Sequence, residues 1–372
     1  MEVLRYWARH DIPGLHVDFL ATSGKQGIFD AEAQSLGARI FYLPYQKKRL
    51  GSFAREFRTI LREGNHAAIH DHQDYASGWH FLMGAAVLPP IRVTHVHNPS
   101  YQIRNNYGRT FARRLTAATG KRLVRRFATH ITGTSRQVIG EYGFDAAEFG
   151  AIPKAALYCG FDARRFAGSR AEARASVLSE FGWRPDARII LFAGRLDLSP
   201  ELNHPRNHKN SGFAVDVAIE CARRNPTIHA IFAGAPSGAL DNLRARVGDA
   251  GLAGRIKFLG IRKDIARLMR GSDILLFPSR GEGLGMVAVE AQAASLPVLA
   301  SSTVPRECVV VPEIIRFEDV AAGNGRWADK VLELIESDIS CADANERVAR
   351  SPFSVEQSAE ALHRLYAMGR LS

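Results

Sequence analysis

The sequence predicts an α/β protein made of two doubly wound, Rossmann-like domains that face each other across a cleft. Short apolar runs of strand length alternate with helical patterns along the 372 residues. The runs form two series, separated by a polar, Arg- and Ala-rich stretch at 161–188. Alternating β and α elements form parallel sheets that helices cover on both faces. Two such series therefore predict two domains.

Ten apolar runs are predicted to be strands. They are residues 16–22, 38–44, 67–72, 91–97 and 129–135 in the first series, and 188–194, 229–234, 255–260, 273–279 and 297–302 in the second. We accordingly predict an N-terminal domain at 1–180, a C-terminal domain at 181–350, and a last helix within 351–372 that packs back on the first domain. Ligands of such sheets bind beyond the carboxyl ends of the strands. The residues that directly follow each strand are therefore the first candidates for function.

The composition excludes several classes of protein. No apolar run approaches the roughly 20 residues that would cross a bilayer, and the first residues do not read as a secretory signal. The four cysteines are scattered and form no CxxC pair, which is typical of reduced thiols without a metal framework. We therefore expect a cytoplasmic protein. The excess of 49 Lys and Arg over 38 Asp and Glu indicates an anionic partner, although no nucleic-acid-binding module is recognisable.

Positive charge is concentrated between residues 104 and 126, inside a stretch from Tyr75 to Gly140 that has no acidic residue. The basic side chains are Arg104, Arg109, Arg113, Arg114, Lys121, Arg122, Arg125 and Arg126. Apolar residues are interleaved with them at mostly helical spacing. A basic amphipathic helix of this kind can lie on an anionic membrane surface. The alternative is a solvated helix face with a core stripe, and the pattern alone does not separate the two.

A glycine loop with acidic residues follows the predicted strand at 273–279. Glu282 precedes a Gly-Leu-Gly, and Glu290 stands eight positions later in an Ala-rich helical pattern. Glycines at a helix N-terminus let backbone N–H groups approach a phosphate, and the helix dipole favours its charge. Arg195, at the end of strand 188–194, and Lys209 would supply the positive charge that a diphosphate needs. The carboxylate of Glu290 is suited to accept hydrogen bonds from two neighbouring hydroxyls, as on a ribose.

These segments resemble the donor-binding domain of family-four retaining glycosyltransferases, which have the two-Rossmann GT-B fold. The matching segments are FAGRL with Lys209, FAGAPSG, RIKFLGIRKDIARLM and, most specifically, FPSRGEGLGMVAVEAQAASLPVLAS with its Glu-x7-Glu pair. YCGFDARRF resembles the linker motif of the family. FDAEAQSLGARIFYLP, IHDHQDYASG and VTHVHN resemble the acceptor domain of exopolysaccharide- and capsule-type members. The resemblance covers nearly the whole chain.

The resemblance implies roles for five side chains. Arg195 and Lys209 would bind the donor diphosphate, with Lys263 as a weaker substitute for Lys209, because the connection between the first two is unusually long. Glu290 would hold the ribose hydroxyls. Arg195, Glu282 and His97 would be the catalytic residues. Glu282 would contact the transferred sugar, and His97, at the end of strand 91–97, would line the cleft near it.

Backbone groups complete the implied donor site. The backbone of Gly283, Leu284 and Gly285 would contact the sugar and the distal phosphate. The backbone around Gly260 and Arg262 would meet the base.

The resemblance also implies the reaction. A sugar would pass from a nucleotide-sugar, in its UDP- or GDP-linked form, to a lipid-linked or growing surface glycan with retention of configuration. The nucleotide-sugar is a co-substrate, and neither a cofactor nor a metal is expected. Glu282 and Glu290 are accordingly not interpreted as the acid/base pair of a glycoside hydrolase.

One alternative to an active glycosyltransferase stays open, and two others are disfavoured. A catalytically idle GT-B-like protein is the main one, because Met1 falls where the first helix of family members begins, so that the first strand and its Gly-Gly loop are not found. A Rossmann oxidoreductase is disfavoured because no G-x-G-x-x-G follows an early strand. A zinc site is disfavoured as well. HDHQD at 70–74 and THVH at 94–97 invite this interpretation, and His95 and His97 share one face of a strand, but the sequence nominates no third ligand.

Overall fold

The computed structural model describes residues 1–10, 12, 15–108, 110–201, 204–337 and 339–371. Arg109 of the predicted basic stretch lies outside these residues. The chain forms two compact units: Met1–Phe161 with Pro352–Ser372, and Asp162–Ser351. Each unit has its own parallel sheets and core, and each is described separately.

In its described residues, the first unit contains six strands and eight α-helices. The strands are β1 (Asp18–Ala21), β2 (Arg39–Tyr42), β3 (Ala68–Asp71), β4 (Ile91–Val96), β5 (His130–Gly133) and β6 (Lys154–Ala156). The helices are α1 (Glu2–His10), α2 (Asp30–Ser35), α3 (Leu50–Gly64), α4 (Ala76–Gly84), α5 (Ser100–Tyr107), α6 (Phe111–Phe127), α7 (Arg136–Glu141) and, near the C-terminus, α15 (Val355–Met368). Strands β1 and β2 pair with each other, and the remaining strands form a parallel sheet in the order β3-β4-β5-β6.

The second unit contains a six-stranded parallel sheet in the order β12-β11-β10-β7-β8-β9. The strands are β7 (Arg188–Ala193), β8 (Ile228–Ala233), β9 (Ile256–Gly260), β10 (Ile274–Phe277), β11 (Val298–Ser301) and β12 (Ile315–Glu318). The helices are α8 (Arg170–Phe181), α9 (Ser211–Arg224), α10 (Leu240–Asp249), α11 (Ile265–Gly271), α12 (Met286–Ala293), α13 (Gly323–Glu336) and α14 (Ala344–Ala349). The direction of strand succession reverses between β7 and β10, which is the switch point of a doubly wound sheet.

The apolar runs of the second unit form strands because both of their faces are buried. Ile190, Phe232 and Leu276 lie in three neighbouring strands and pack in one core with the fully buried Trp327 of α13. Strands covered on both faces are expected to be continuously apolar. The same property made the runs visible in the sequence, and the ten predicted strands are found within about one to two residues of their predicted bounds.

Strands β6 and β12 were not predicted. The first is only three residues long, Lys-Ala-Ala, and all three are half-buried. The second, Ile-Arg-Phe-Glu, lies at the edge of its sheet beside β11. Neither segment buries both faces, so neither carries the continuous apolar run on which the prediction relied.

The two units meet along the chain at Phe161/Asp162, and the predicted boundary at 180/181 is wrong. Helix α8 belongs to the second unit because buried charges hold it there. Arg174 donates to the carboxylate of Asp273 at 2.8 Å, and the Asp273 side chain is only 4% exposed. Val177 of α8 is fully buried. The polar appearance of this segment reflects ion pairs within one unit.

The last segment of the chain belongs to the first unit. Leu365 of α15 packs with Val93 and Leu157, and the indole N–H of Trp7 donates to the carbonyl of Ala359 at 3.3 Å. Among the described residues, no helix is both long and apolar enough to span a bilayer.

Candidate functional site

The switch point of the second sheet brings two predicted site segments to one edge. Strands β7 and β10 are parallel neighbours, with Ile190 opposite Ile274 and Leu191 opposite Leu275. Because both strands run in the same direction, Arg195 and the loop at 279–285 leave the sheet at the same end. This is the edge at which open α/β sheets bind ligands.

Gly285 shapes the start of helix α12. It is the N-cap residue and has φ +95°, a left-handed conformation that side chains disfavour. A Cβ at this position would also lie 2.9 Å from Cγ1 of Val304. Both the conformation and the space therefore require glycine, and Gly283 and Leu284 lead the loop into this helix start.

The glycine loop is fastened to the segment that precedes α9. The Arg280 amide donates to the carbonyl of His208 at 2.9 Å. The Asn210 side-chain amide donates to the carbonyl of Pro278 at 3.1 Å. Lys209 lies between these two anchors and is held next to the loop.

Lys209 and Glu282 form an ion pair at the glycine loop. The distance from Nζ to Oε1 is 2.7 Å, and the side chains are 31% and 13% exposed. The ammonium group also lies 5.7 Å from the ring centroid of Phe277, the last residue of β10. The long connection after Arg195 thus returns to the sheet edge. It brings Lys209 beside the glycine loop, where the sequence analysis predicted a cation.

Asp197 holds the connection between Arg195 and Lys209 in this fold-back. The sequence analysis did not identify Asp197. Its buried carboxylate accepts hydrogen bonds from the amides of Asn210 and Gly212, both at 3.1 Å. The Asp197 amide donates to the Ser211 hydroxyl at 2.9 Å. An acidic residue just past a strand, with Asn-Ser before a helical run, was the available signal, because these residue types satisfy free amides at helix starts.

Glu290 lies on helix α12 with its carboxyl group largely removed from water. Burial raises its pKa from 4.5 to about 7, although Arg165 and Lys209 oppose the shift. Within the described residues no hydrogen bond reaches this carboxylate. The half-buried carboxylate is therefore able to accept hydrogen bonds.

The Arg195 guanidinium is exposed at the end of β7. It has no side-chain hydrogen bond or ion pair to any residue that the structure describes. It lies close enough to His208 to help burial lower the pKa of that histidine. Arg195 is therefore available to a ligand anion.

Gly260 and Arg262 differ in what they offer. Gly260 lines a cavity of about 180 Å³ together with Gly234, Leu196 and Phe258. The guanidinium of Arg262 is already bound, because it donates to Glu180 at 2.8 Å and to Asp264 at 2.8 Å. Only the backbone of Arg262 is free for a ligand.

His97 lies in the first unit, whereas the other predicted site residues lie in the second. Its Nε2 is 2.8 Å from Nδ1 of His72. Burial lowers the pKa of His97, and burial together with the neighbouring His97 lowers that of His72 to about 4. Both rings are therefore neutral at physiological pH and can accept or donate one hydrogen bond each.

The predicted basic helix is α6, and its two ends are exposed differently. Towards its C-terminal end, Ala117 and Val124 are buried against the unit. Towards its N-terminal end, Phe111 is 81% exposed and Leu115 is 54% exposed. The helix thus combines a core stripe with exposed apolar side chains beside Arg113, Arg114 and Arg122.

Comparisons with known sequences point to one class of protein. Residues 187–337 match the family described as glycosyl transferases group 1. EpsF of Bacillus subtilis (strain 168), provisionally named as a glycosyltransferase, is 25% identical over 373 residues, which cover 98% of this chain and 91% of EpsF. The D-inositol 3-phosphate glycosyltransferase of Mycolicibacterium gilvum (strain PYR-GCK) is 38% identical over 141 residues, which cover 36% of this chain and 28% of that protein.

Solved structures share the fold. Anabaena HepE in complex with UDP superposes with a TM-score of 0.73 at 18% identity, covering 95% of this chain and 100% of that one. HepE in complex with UDP-glucose gives 0.70 at 18% identity, covering 94% and 100%. WaaG, a glycosyltransferase involved in lipopolysaccharide biosynthesis, gives 0.62 at 15% identity, covering 100% and 91%. The predicted GT-B fold class is confirmed.

Proposed function

Since the second unit carries a glycosyltransferase group 1 domain, we propose that the protein transfers a sugar from a nucleoside-diphosphate donor to a hydroxyl group of a surface glycan. The observation that supports this most is the cluster at the switch point. There, Lys209, Glu282 and the start of α12 lie near the half-buried carboxylate of Glu290, which receives no hydrogen bond from the residues that the structure describes. One edge of one sheet thus offers groups for a diphosphate and for a pair of hydroxyls.

In this proposal the donor diphosphate is bound by positive charge and by backbone N–H groups. Arg195 is exposed and available, and Lys209 exchanges its bond to Glu282 for a phosphate oxygen. The amides that follow Gly283 and Leu284 meet the same anion at the helix start. Glu282 is thereby released to accept a hydroxyl of the transferred sugar.

The nucleoside is placed by Glu290 and by the cavity beside Gly260. Glu290 accepts hydrogen bonds from the two ribose hydroxyls, and the base lies against the backbone of Gly260 and Arg262. The UDP and UDP-glucose complexes of the similar HepE favour a UDP-linked donor over the GDP-linked alternative.

The chemical step needs no metal in this proposal. The bond between the anomeric carbon and the diphosphate oxygen breaks while the acceptor oxygen bonds to that carbon on the same face. The acceptor proton passes to the departing diphosphate oxygen, so charge and atoms balance and configuration is retained. Arg195, Lys209 and the helix N-terminus stabilise the developing charge, which is commonly the largest catalytic contribution.

The acceptor is proposed to be lipid-linked or a growing glycan at the inner face of the cytoplasmic membrane. Exposed Phe111 and Leu115, next to the arginines of α6, fit an anionic bilayer surface. The role of WaaG in lipopolysaccharide biosynthesis is in keeping with such an acceptor. Sedimentation with vesicles tests the surface: binding should require anionic lipid and weaken in Phe111→Ser/Leu115→Ser, whereas equal binding to neutral vesicles contradicts it.

The central test is transfer activity with a panel of UDP- and GDP-sugars after treatment with EDTA. We expect activity with at least one donor, retained in EDTA, and a fall of about 10²–10³-fold in Arg195→Ala, the usual effect of losing a group that stabilises developing charge. Arg184→Ala is the matched control, because Arg184 is 85% exposed and its ion pair is with the neighbouring Asp186.

Two outcomes would contradict the proposal in different ways. Loss of activity in EDTA that Mn²⁺ or Mg²⁺ restores would refute the metal-free step. A folded protein that binds donors but never transfers them would support the alternative of a catalytically idle protein.

A further inference from the structure

Four histidines form a ladder across two neighbouring strands of the first unit. Strands β3 and β4 are parallel, with His70 opposite Val93 and Asp71 opposite Thr94. Continued by one residue, this register places His72 beside His95. Side chains two residues apart on a strand share a face, so His70, His72, His95 and His97 all project from the same side of the sheet.

The rings contact one another along this ladder. His70 and His72 stack with ring centroids 4.3 Å apart, and His95 and His97 stack at 4.4 Å. Across the strands, His72 and His95 are 5.0 Å apart. Three of the residues, His70, His72 and His95, each offer a ring nitrogen within 4.8 Å of those of the other two.

We propose that His70, His72 and His95 bind a divalent transition-metal ion of the zinc class, with one ring nitrogen each. Imidazole nitrogens suit Zn²⁺ and its neighbours in the first transition row. Three ligands around a tetrahedral ion, with bonds of 2.0–2.1 Å, stand about 3.3 Å from one another. His70 Nε2 and His95 Nδ1 are already 3.0 Å apart, so ligation requires only a small outward movement of the two rings.

Groups around the three histidines support this assignment. The Tyr366 hydroxyl lies 2.7 Å from His70 Nδ1, where it can accept the proton of that nitrogen and leave Nε2 free for a metal. Hydrogen bonds of this kind orient metal-bound histidines. His72 Nδ1 is held in the same way by His97 Nε2.

The ladder leaves one polar atom unsatisfied. His95 Nε2 is buried and has no hydrogen-bond partner among the residues that the structure describes. Buried polar atoms almost always have a partner. This is the nitrogen of His95 that does not contact His70, so the ligand set follows from the facing nitrogens, His70 Nε2 and His95 Nδ1.

The site is independent of the proposed donor chemistry. All three histidines belong to the first unit, whereas Arg195, Lys209 and Glu290 belong to the second. Three protein ligands leave a fourth position open to water or a hydroxyl group. His70 and His95 are the last residues but one of β3 and β4, and His72 follows β3, so the cluster lies near the strand ends at which ligands of such sheets bind.

The test is to titrate the untagged, EDTA-treated full chain with Co²⁺ and to record its visible ligand-field absorption. We expect one equivalent to bind, with a dissociation constant on the order of 1 μM or tighter, to give a tetrahedral spectrum, and to be displaced by Zn²⁺. His72→Ala should weaken binding at least tenfold. His72 follows the end of β3, outside the sheet, so the variant should keep its fold, which circular dichroism checks.

His16→Ala is the matched control, because His16 is an exposed histidine of the same unit outside the ladder, and it should bind like the wild type. Tyr366→Phe removes the hydroxyl that orients His70 and should weaken binding without abolishing it. The proposal is overturned if no stoichiometric binding occurs, or if His72→Ala binds as tightly as the control. Either result leaves the proposed transfer reaction untouched, because that reaction is measured separately in EDTA.

Discussion

The carboxyl group of Glu290 lies in surroundings that disfavour its charged form, while the chemistry proposed for it requires that form. Burial raises its pKa to about 7. A pair of ribose hydroxyls would donate to the ionised group and recover the cost of burying its charge. Ionised Glu290 therefore lowers the stability of the nucleotide-free protein near neutral pH and stabilises the complex with nucleotide.

Glu290→Ala should lower donor affinity by about tenfold or more, because hydrogen bonds to a charged group contribute roughly 1.5–3 kcal/mol each. Titration calorimetry with UDP at pH 8 measures the change. Glu333→Ala is a suitable control, since Glu333 is an exposed acid on α13 that pairs with Lys330 in the same helix. Unchanged affinity in a folded Glu290→Ala protein would remove Glu290 from the nucleotide site.

Glu290→Gln should change the pH dependence of stability. The folded state holds this proton more tightly than the unfolded state, whose glutamate titrates at 4.5. Wild-type stability is thus undiminished below pH 4.5 and falls as the pH rises to 7, by about 3 kcal/mol at 1.36 kcal/mol per pKa unit. Between pH 5 and pH 8 the Gln variant should gain about 2 kcal/mol relative to wild type. Denaturant unfolding measures this, and parallel pH profiles would contradict it.

At the scale of elements, helix α8 is attached to its sheet by charge as well as by packing. Asp273, just before β10, accepts from Arg174 of α8 at 2.8 Å and from the Ile189 amide of β7 at 2.7 Å. Arg170 and Arg188 approach it at 3.3 Å. One buried carboxylate thus joins a helix and two strands.

Asp273→Ala should lower the free energy of unfolding by about 3 kcal/mol, because the half-buried Arg174 loses its carboxylate partner and the buried Ile189 amide loses its acceptor. Asp186→Ala provides the comparison, since its pair with Arg184 is largely exposed and should contribute less than about 1 kcal/mol. Denaturation midpoints measure both. Equal midpoints for the two variants would show that the ion-pair cluster does not hold α8.

At the scale of the whole molecule, the two units have separate sheets and cores, and the second is continuous in the sequence. A fragment of residues 162–351 should therefore fold and melt cooperatively. A fragment that starts at residue 181 lacks nearly all of α8, exposes the surface under Ala173 and Val177, and leaves Asp273 without two of its arginines. It should melt at a clearly lower temperature. Calorimetry of both fragments measures the difference. Equal melting temperatures would instead support the domain boundary at 180/181 that the sequence predicted.

The sequence by itself determined the fold class, the positions of most strands and the glycine loop. Strands buried on both faces must be apolar throughout, and a helix start that approaches a phosphate needs glycine, so both leave local patterns. Glu282, Glu290 and Arg195 could be singled out for the same reason, because each stands at a fixed place beside a strand or within a helix. Functional features that lie within one segment can therefore be recognised from the sequence of that segment.

Only the tertiary structure decided which distant residues meet. The sequence left the place of Lys209 in doubt, and its contact with Glu282 depends on a fold-back that Asp197 holds. The sequence nominated no third ligand for His95 and His97. His70 and His72 come close to His95 only through the register of β3 and β4. Strand order and side-chain burial arise from contacts between residues far apart in the chain, and no local pattern records them.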